Sequence, residues 1–377
     1  MMPDVAFDLP ADLPREVAAW LAGLAADSPG PLTARLVGGG LSVARVFRVE
    51  AAGRTLALKD WAWTADRLPQ VDAIVGFQSF LSRGWPRDEH CPVPRPAADW
   101  AAGQPIALAG GTLWTLSEWV LGEPLRPEDA PSGESLDQLA AAVAEMHLLA
   151  VRHAGGGMLP RGGAGWAERA ERLRAAAAAI ERLQAESRRW SPSDPLERPI
   201  AQAVQTLVRL RESDRLERLR GVAEEQAASP RPALWIVRDG HCGNWLFEAG
   251  RLSGVIDFAA ARIDWPVWDM VRLLTSWRVD ANIDVAAFAA AYRSQLAARI
   301  GSKDDSAGVL ESRGLLRSVD AEVERWLDPR RFEALDAIQS SLSLLQCCQW
   351  AIGSRVPAEA IVPRIAFWIA RCGRLVG

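Results

Sequence analysis

The chain has 377 residues, 49% of them hydrophobic and 24% charged, which suffices for one large domain or for two lobes that each bury a core. A formal net charge of −4 disfavours nucleic acid and anionic membrane surfaces as partners, and no apolar run is long enough to span a bilayer. The five cysteines lack zinc-binding spacing, and the acidic, proline-interrupted start does not resemble a signal peptide, so we expect a soluble protein of the reducing cytoplasm.

The first part of the chain is predicted to be rich in β-structure. A short helix at 15–25 precedes a segment whose polarity alternates around two glycine-containing turns, which predicts strands at Val43–Glu50 and Thr55–Trp61. A further strand is expected at Thr112–Val120. Between these strands, apolar residues at three- and four-residue spacing predict a helix: Val71, Ile74, Phe77 and Leu81. We therefore assign residues 1–120 to a β-rich N-terminal lobe.

The basic residues of the chain show an unusual bias. Of 43 lysines and arginines, only Lys59 and Lys303 are lysines. Arginine thus occupies nearly every position where either cation would serve, and the lysine retained in a predicted strand suggests a chemical role.

The second part of the chain is predicted to be helical. One apolar stripe runs through Leu136, Leu139, Val143, Met146 and Leu149 or Ala150. Another helix face is formed by Trp166, Ala170, Leu173, Ala177, Ile180 and Leu183, and prolines between 192 and 199 interrupt the pattern. We assign residues 121–377 to a mainly helical C-terminal lobe.

The polar residues between Trp235 and Phe258 carry the chemistry. A hairpin turn at 248–251 reverses the chain, so we expect Asn244 and Asp257 to come close together, with Asp239 on the adjoining loop. Converging carboxylate and amide oxygens suit Mg²⁺ that is held partly by phosphate oxygens. A further carboxylate can accept the proton of an attacking hydroxyl, so the segment predicts phosphoryl transfer from a nucleotide.

The same segment resembles the aminoglycoside phosphotransferase and choline kinase-like family. That family has a loop of the form H-G-D-x-H-x-G-N and a metal-binding aspartate in an I-D-F segment. Five residues match in register: Asp239, His241, Gly243, Asn244 and Asp257. Residues 114–123 are similar to the family's hinge strand and the turn after it, and Asp269 matches an aspartate at the start of a helix. The resemblance implies an α+β, two-lobed protein-kinase-like fold with a small β-rich N-lobe and a larger, mainly helical C-lobe.

The resemblance also implies roles for single residues. Asp239, in a catalytic loop at 237–247, would be the catalytic base, and Asn244 and Asp257, the latter in a metal-binding segment at 252–260, would bind Mg²⁺. ATP or GTP would be bound by Gly38, Gly39, Gly40, Ser42, Lys59, Glu118 and Val120. Glycine allows backbone N–H groups to approach phosphates closely, and a lysine ammonium reaches them as a point charge. The γ-phosphate would pass to a hydroxyl group of a small molecule.

Two departures from the family pattern leave an alternative open. Val237-Arg238 stands where the family has His-Gly before the base. The helix after Lys59 has no glutamate at the place of the family's ion-pair partner, and its polar candidates are Asp72 and Gln78. The missing glutamate favours a catalytically inactive kinase-like fold that binds nucleotide or a partner protein.

The intact residues Asp239, Asn244 and Asp257 favour the enzyme over this alternative. A protein kinase is disfavoured, since no Ala-Pro-Glu segment follows Asp257 to close a peptide-docking loop.

Other polar and aromatic residues have more than one interpretation. His147 is predicted to be a packed or hydrogen-bonded core residue, and His241 to structure the catalytic loop. The tryptophans after residue 260 can wall a cationic substrate or, more commonly, pack in the core. Four acidic residues are candidates to face such a substrate: Glu123, Glu128, Asp129 and Asp264.

Overall fold

The computed structural model divides the chain into two units, residues 1–122 with 253–259 and residues 123–252 with 260–377. It describes residues 7–25, 32–37, 44–51, 53–86, 90–97, 105–153, 157–159, 164–188, 197–277, 281, 283–300, 307–353 and 358–376. The predicted phosphate-binding turn, with Gly38, Gly39, Gly40 and Ser42, lies outside the described residues, as does Val43.

The first unit is built on a six-stranded sheet with the strand order β1-β2-β3-β4-β6-β5. Its elements are β1 (Phe7–Asp8), α1 (Arg15–Ala25), β2 (Leu32–Val37), β3 (Arg45–Ala51), β4 (Arg54–Asp60), α2 (Leu68–Gly84), β5 (Ile106–Ala109) and β6 (Thr112–Glu118). All neighbouring strands are antiparallel except the short β1, which pairs with β2 in parallel. The predicted β-rich character of this segment is confirmed, with strand ends that differ by one or two residues from those expected.

Alternation along the strands separates a core face from a second face of the sheet. On β4, Leu56 and Leu58 are fully buried in a cluster that also contains Phe47 and Trp114. Side chains alternate between the two faces of a strand, so Lys59 lies on the opposite face from Leu58. Helix α1 covers the core face through Val17 and Leu21, which belong to the same cluster. The core therefore leaves the face that carries Lys59 available for polar contacts.

The second unit is mainly helical. Its elements are β7 (Glu123–Pro124), α3 (Gly133–Ala150), β8 (Gly157–Leu159), α4 (Ala164–Ser187), α5 (Glu197–Glu212), α6 (Arg215–Ala227), β9 (Arg231–Ile236), β10 (Trp245–Glu248), β11 (Arg251–Val255), β12 (Arg262–Asp264), α7 (Val267–Leu274), α8 (Val285–Ile300), α9 (Ala307–Trp326), α10 (Pro329–Ile352) and α11 (Ala358–Val376). Residues 253–255 of β11 are counted with the first unit. The short strands form two three-stranded sheets, with the orders β11-β10-β7 and β12-β9-β8.

The predicted hairpin is present between β10 and β11. Its two connecting residues, Ala249 and Gly250, have φ angles of 49° and 79°. Positive φ at both positions is the geometry of the tight turn that matches the twist of two antiparallel strands.

The helical core follows the predicted stripes except at one position. The whole predicted stripe of α3 is buried. On α4, Ala177 is exposed and Ala176 is buried in its place, so the expected position was wrong by one residue. The positions three and four residues after Leu173 lie on either side of it on the helix surface, so spacing alone does not decide between Ala176 and Ala177.

Four tryptophans form one buried aromatic cluster: Trp166, Trp265, Trp268 and Trp326. Each has at most 5% of its surface exposed, so core packing is confirmed for them and a substrate-facing role is wrong. Among the described helices, none combines the length and the apolar character needed to cross a bilayer.

Candidate active site

Lys59 and Asp257 form an ion pair within the first unit. The Nζ atom of Lys59 lies 2.7 Å from Oδ1 of Asp257 and 4.6 Å from the centre of the Trp61 ring. Asp257 has a φ of 60°, the left-handed conformation that aspartate tolerates better than most residues, and it follows directly on β11 and Ile256. The side chain of Lys59 is 17% exposed and that of Asp257 is 41% exposed. The lysine thus has a carboxylate partner, although not on the helix where the family places one.

The two polar candidates on α2 do not supply this partner. Gln78 donates a hydrogen bond through Nε2 to the carbonyl oxygen of Pro94, at 2.7 Å, and Asp72 is exposed. Neither candidate therefore takes the place of the missing glutamate, since neither contacts Lys59 in the part of the chain that the structure describes.

The segment that carries Asp257 is held in the first unit by backbone contacts. The N–H of Val255 donates to the carbonyl of Pro92 at 2.9 Å, and the hydroxyl of Ser253 donates to the carbonyl of Leu121 at 2.6 Å. Gly254 lies so close to Val120 that any Cβ at this position would overlap the valine side chain. These contacts fix where Asp257 stands relative to β4.

The predicted hinge residues Glu118 and Val120 lie at the end of β6 and just after it. The N–H of Glu118 donates to the carbonyl of Arg95 at 2.8 Å, and its exposed carboxylate lies 3.7 Å from the guanidinium of Arg54. Val120 packs against Gly254. Both positions are therefore structured, and their contact with a nucleotide stays a prediction.

In the second unit, the catalytic loop is closed by hydrogen bonds of its own. The carbonyl of Asp239 accepts from the N–H of His241 and from Nδ2 of Asn244, both at 2.8 Å, and the carbonyl of His241 accepts from the N–H of Asn244, also at 2.8 Å. The indole N–H of Trp245 donates to the carbonyl of Gly240 at 2.9 Å. Asp239 and Asn244 are thus brought together as predicted.

The beginning of this loop is anchored by Asp269 on α7. Its carboxylate accepts the N–H of Val237 at 3.0 Å and the N–H of Arg238. The carboxylate also contacts Nε2 of His147, at 3.4 Å, and Nδ1 of His147 lies 2.8 Å from the hydroxyl of Tyr292. Tyr292, His147 and Asp269 are all buried, so this chain of contacts holds the loop backbone from the side of α3 and α8. The prediction that His147 is a hydrogen-bonded core residue is confirmed.

The carboxylate of Asp239 itself pairs with Arg272, one turn along α7 from Asp269. The Nε atom of Arg272 lies 2.8 Å from Oδ1 of Asp239, and the two side chains are 14% and 38% exposed. Burial alone would raise the pKa of Asp239, but Arg272, His241 and Arg364 outweigh it and lower the pKa below the ordinary value for aspartate. The group is therefore ionised at neutral pH, as a proton acceptor must be.

Arg238, which replaces the family's glycine before the base, belongs to a partly buried ion network. It has a φ of 68°, and its guanidinium lies 2.9 Å from Glu168 and 3.3 Å from Asp264. Arg169 makes two hydrogen bonds to Asp264, at 3.1 and 3.2 Å. Both charges of this last pair are buried. The network fixes the residue next to the base through side chains of α4 and β12.

This network corrects one of the substrate-facing candidates. Asp264 has 1% of its surface exposed and is neutralised by two arginines, so it cannot face a cationic substrate. Glu123, Glu128 and Asp129 are exposed residues of the second unit.

The side-chain oxygens of Asn244 and Asp257 are suitable ligands for a hard divalent cation. Because Nδ2 of Asn244 is used by the carbonyl of Asp239, the amide oxygen is left available as a ligand, and Asp257 offers a half-exposed carboxylate. Asn244 and Asp257 belong to different units, so their joint action on one metal ion stays a prediction.

Four residues that act on the predicted base or support its loop through other side chains were not singled out from the sequence as part of the site: Arg272, Arg364, Arg169 and Tyr292. A signal existed for Arg272 alone, since it follows Asp269 at a three-residue spacing and so shares its helix face. The other three come from elements distant in sequence.

Comparison with known structures shows the class of fold. An ethanolamine kinase from Plasmodium vivax is 13% identical, with 91% of this chain and 81% of that chain covered and a TM-score of 0.51. An amicoumacin kinase in complex with AMP-PNP and Ca²⁺ is 16% identical over 89% and 87% of the two chains, with a TM-score of 0.48. An aminoglycoside phosphotransferase in complex with ADP and hygromycin B is 14% identical over 97% and 98%, with a TM-score of 0.45. The match to the ethanolamine kinase shows that the chain has the α+β, two-lobed protein-kinase-like fold that the sequence predicts.

The family model for the phosphotransferase enzyme family matches residues 33–301, which is more than half of the chain. The protein belongs to this family. No curated protein matches the sequence.

Proposed function

We propose that the protein transfers the γ-phosphoryl group of ATP or GTP to a hydroxyl group of a small molecule. The observation that carries this proposal is the environment of Asp239. Its carboxylate is partly exposed, is kept ionised by neighbouring cations, and stands on a loop whose backbone is fixed by Asp269 and Asn244. A carboxylate prepared in this way can accept a proton at neutral pH.

The reaction balances with the groups named. The acceptor oxygen forms a bond to the γ-phosphorus, the bond from the γ-phosphorus to the β–γ bridging oxygen breaks, and the nucleoside diphosphate leaves. The acceptor proton passes to the carboxylate of Asp239. Lys59 binds the phosphates of the nucleotide, as the family resemblance implies, and must then exchange its contact with Asp257 for them.

Asn244 and Asp257 would hold Mg²⁺, the metal that the family uses. When bound, Mg²⁺ supplies positive charge against the β- and γ-phosphate oxygens. The residues of this chain contribute the two oxygen ligands, and Lys59 adds a further positive charge on the nucleotide side.

Nucleotide binding is tested by thermal denaturation of the purified protein with Mg-ATP and with Mg-GTP. We expect one of them, at 100 times its Kd, to stabilise the protein by about 2.7 kcal/mol. Asp257→Asn preserves the left-handed backbone but removes the charge, so we expect it to lose the part of the shift that depends on Mg²⁺. The wild type with EDTA should then behave like the variant.

The matched control is Asp72→Asn, an exposed aspartate of the same unit. It should keep the full nucleotide shift. If neither nucleotide shifts the wild type, or if Asp257→Asn responds as the wild type does, the proposed nucleotide site is wrong.

A further inference from the structure

The surroundings of Asp239 in the second unit are unusually rich in positive charge. Arg272 lies on α7, packed between the carboxylate of Asp239 and the buried Trp368, whose ring centre is 5.7 Å from the guanidinium carbon. This contact fixes the arginine with its Nε atom on the carboxylate. Its two Nη groups have no hydrogen-bond partner among the described residues.

A second arginine, Arg364, lies four residues before Trp368 on α11 and so shares the helix face on which Arg272 packs. It also acts electrostatically on the carboxylate of Asp239. Burial lowers the pKa of Arg364, the like charge of Arg272 lowers it further, and Asp239 opposes both. In the part of the chain that the structure describes, Arg364 has neither a hydrogen bond nor an ion pair, although it is half-buried. The donors of this guanidinium are therefore not used by any described residue, and a guanidinium fork suits an anionic ligand.

The nearby acidic residues do not balance these charges. Asp264 is already paired with Arg169 and Arg238. Glu128 acts electrostatically on Cys242, whereas the largest charge effects on Asp239 come from cationic groups. His241 adds a third group that can carry positive charge. A cationic acceptor placed beside Asp239 would therefore meet two arginines, and like charges repel strongly where solvent is partly excluded.

We propose that the acceptor is an anion, a hydroxyl compound that carries a carboxylate or phosphate group bound by Arg364 and Arg272. This rests on the proposed phosphotransferase function and names its substrate class. The planar guanidinium fork matches two oxygens of a carboxylate or phosphate. No described residue uses the Nη groups of Arg272 or the donors of Arg364, so these groups can bind such an anion. The anionic group then places the acceptor hydroxyl beside the carboxylate of Asp239.

A second anion has to be distinguished from the acceptor, namely the γ-phosphate of the nucleotide. The first experiment therefore fills the nucleotide site with Mg²⁺ and AMP-PNP and then titrates inorganic phosphate or glycerate, with thermal denaturation as the measurement. In the wild type we expect the anion to stabilise the protein further, in addition to the stabilisation by AMP-PNP. The variant Arg364→Gln should lose this further stabilisation. The matched control Arg374→Gln, an exposed arginine on the same helix, should retain it.

The second experiment incubates the protein with Mg-ATP and a library of hydroxylated metabolites in three charge classes, with mass spectrometry of the phosphorylated products. We expect products from the anionic class, and a KM for the anionic acceptor that Arg364→Gln raises about 10- to 100-fold while the nucleotide KM is unchanged.

The outcomes separate the two proposals. Absence of nucleotide binding contradicts the proposed function itself. Nucleotide binding without additive stabilisation by either anion overturns the anionic acceptor. The anionic acceptor is also overturned if AMP-PNP abolishes the stabilisation by the anions, or if Arg364→Gln raises the nucleotide KM with every acceptor. Phosphorylated products that come from amines or neutral compounds would overturn it as well.

Discussion

Asp239→Asn is expected to reduce kcat for phosphoryl transfer by about 10²- to 10⁴-fold, the range that loss of a general base produces. Asparagine has the same shape and can still accept the hydrogen bond from Nε of Arg272, but it cannot take the acceptor proton. The measurement is steady-state turnover with the acceptor found in the metabolite screen. Nucleotide-dependent stabilisation is measured in parallel, because it should be unchanged.

The control for this variant is Asp129→Asn, which removes an exposed aspartate of the same unit. It should turn over at the wild-type rate. Full activity of Asp239→Asn would rule out the assigned base, and no turnover in the wild type with any acceptor would favour the catalytically inactive alternative.

The arginines around Asp239 also determine the pH profile. Because they hold the pKa of Asp239 below its ordinary value, the base is ionised throughout the neutral range and loses its charge only under strongly acidic conditions. The acidic limb of kcat/KM should therefore lie below the usual pKa of aspartate, about 3.9. An acidic limb near neutral pH would show that another group accepts the proton.

Arg169→Met is expected to destabilise the protein by about 3–5 kcal/mol, because it leaves the buried Asp264 without its main partner. Methionine preserves much of the packing volume against Trp268, whose ring centre is 3.6 Å from the guanidinium carbon of Arg169. The measurement is the free energy of unfolding from denaturant titration. The matched control is Arg174→Met on the same helix, where the arginine pairs with Glu171 and Glu224 in solvent and its loss should change stability little.

The double variant Arg169→Met/Asp264→Leu should recover most of the lost stability, since replacing both partners of a buried pair removes the uncompensated charge. A destabilisation that persists in the double variant would mean that packing around Trp268, rather than charge, is the cause.

The ion pair of Arg169 and Asp264 also determines how the stability of the protein changes on acidification. Burial would raise the pKa of Asp264, but Arg169, Arg238 and the N–H of Trp265 lower it below the ordinary value. A lowered pKa in the folded state contributes stability above the unfolded pKa, and this contribution disappears as the pH falls through the folded pKa. The wild type should therefore lose stability on acidification by more than Asp264→Leu does. An equal loss in both proteins would contradict the assignment.

The sequence predicted those parts of the site that depend on short-range patterns. Alternation placed Lys59 on a strand, a two-residue turn produced the hairpin before Asp257, and the spacing from Asp239 to Asn244 closed one loop. Each of these is decided within a few residues along the chain.

The groups that tune the site were not predictable in this way. Arg272 and Arg364 reach Asp239 from two different helices, and Asp264 is neutralised by an arginine ninety-five positions away along the chain. Acidic side chains look alike in a sequence whether they face solvent or a buried arginine, so the sequence alone leaves Asp264 a candidate to face a substrate. Side-chain pairing between distant elements depends on packing, which periodicity does not encode.

The hydrogen-bonded chain behind the catalytic loop ends at Tyr292, and this residue is the single tyrosine of the protein. Biosynthetic labelling with isotopically enriched tyrosine would therefore give one set of magnetic resonance signals, free of overlap and free of any assignment problem. Tyr292 contacts His147, and His147 contacts Asp269, which holds the loop backbone. The tyrosine signals should therefore change when the conformation of the catalytic loop changes, although no label is placed in the site itself.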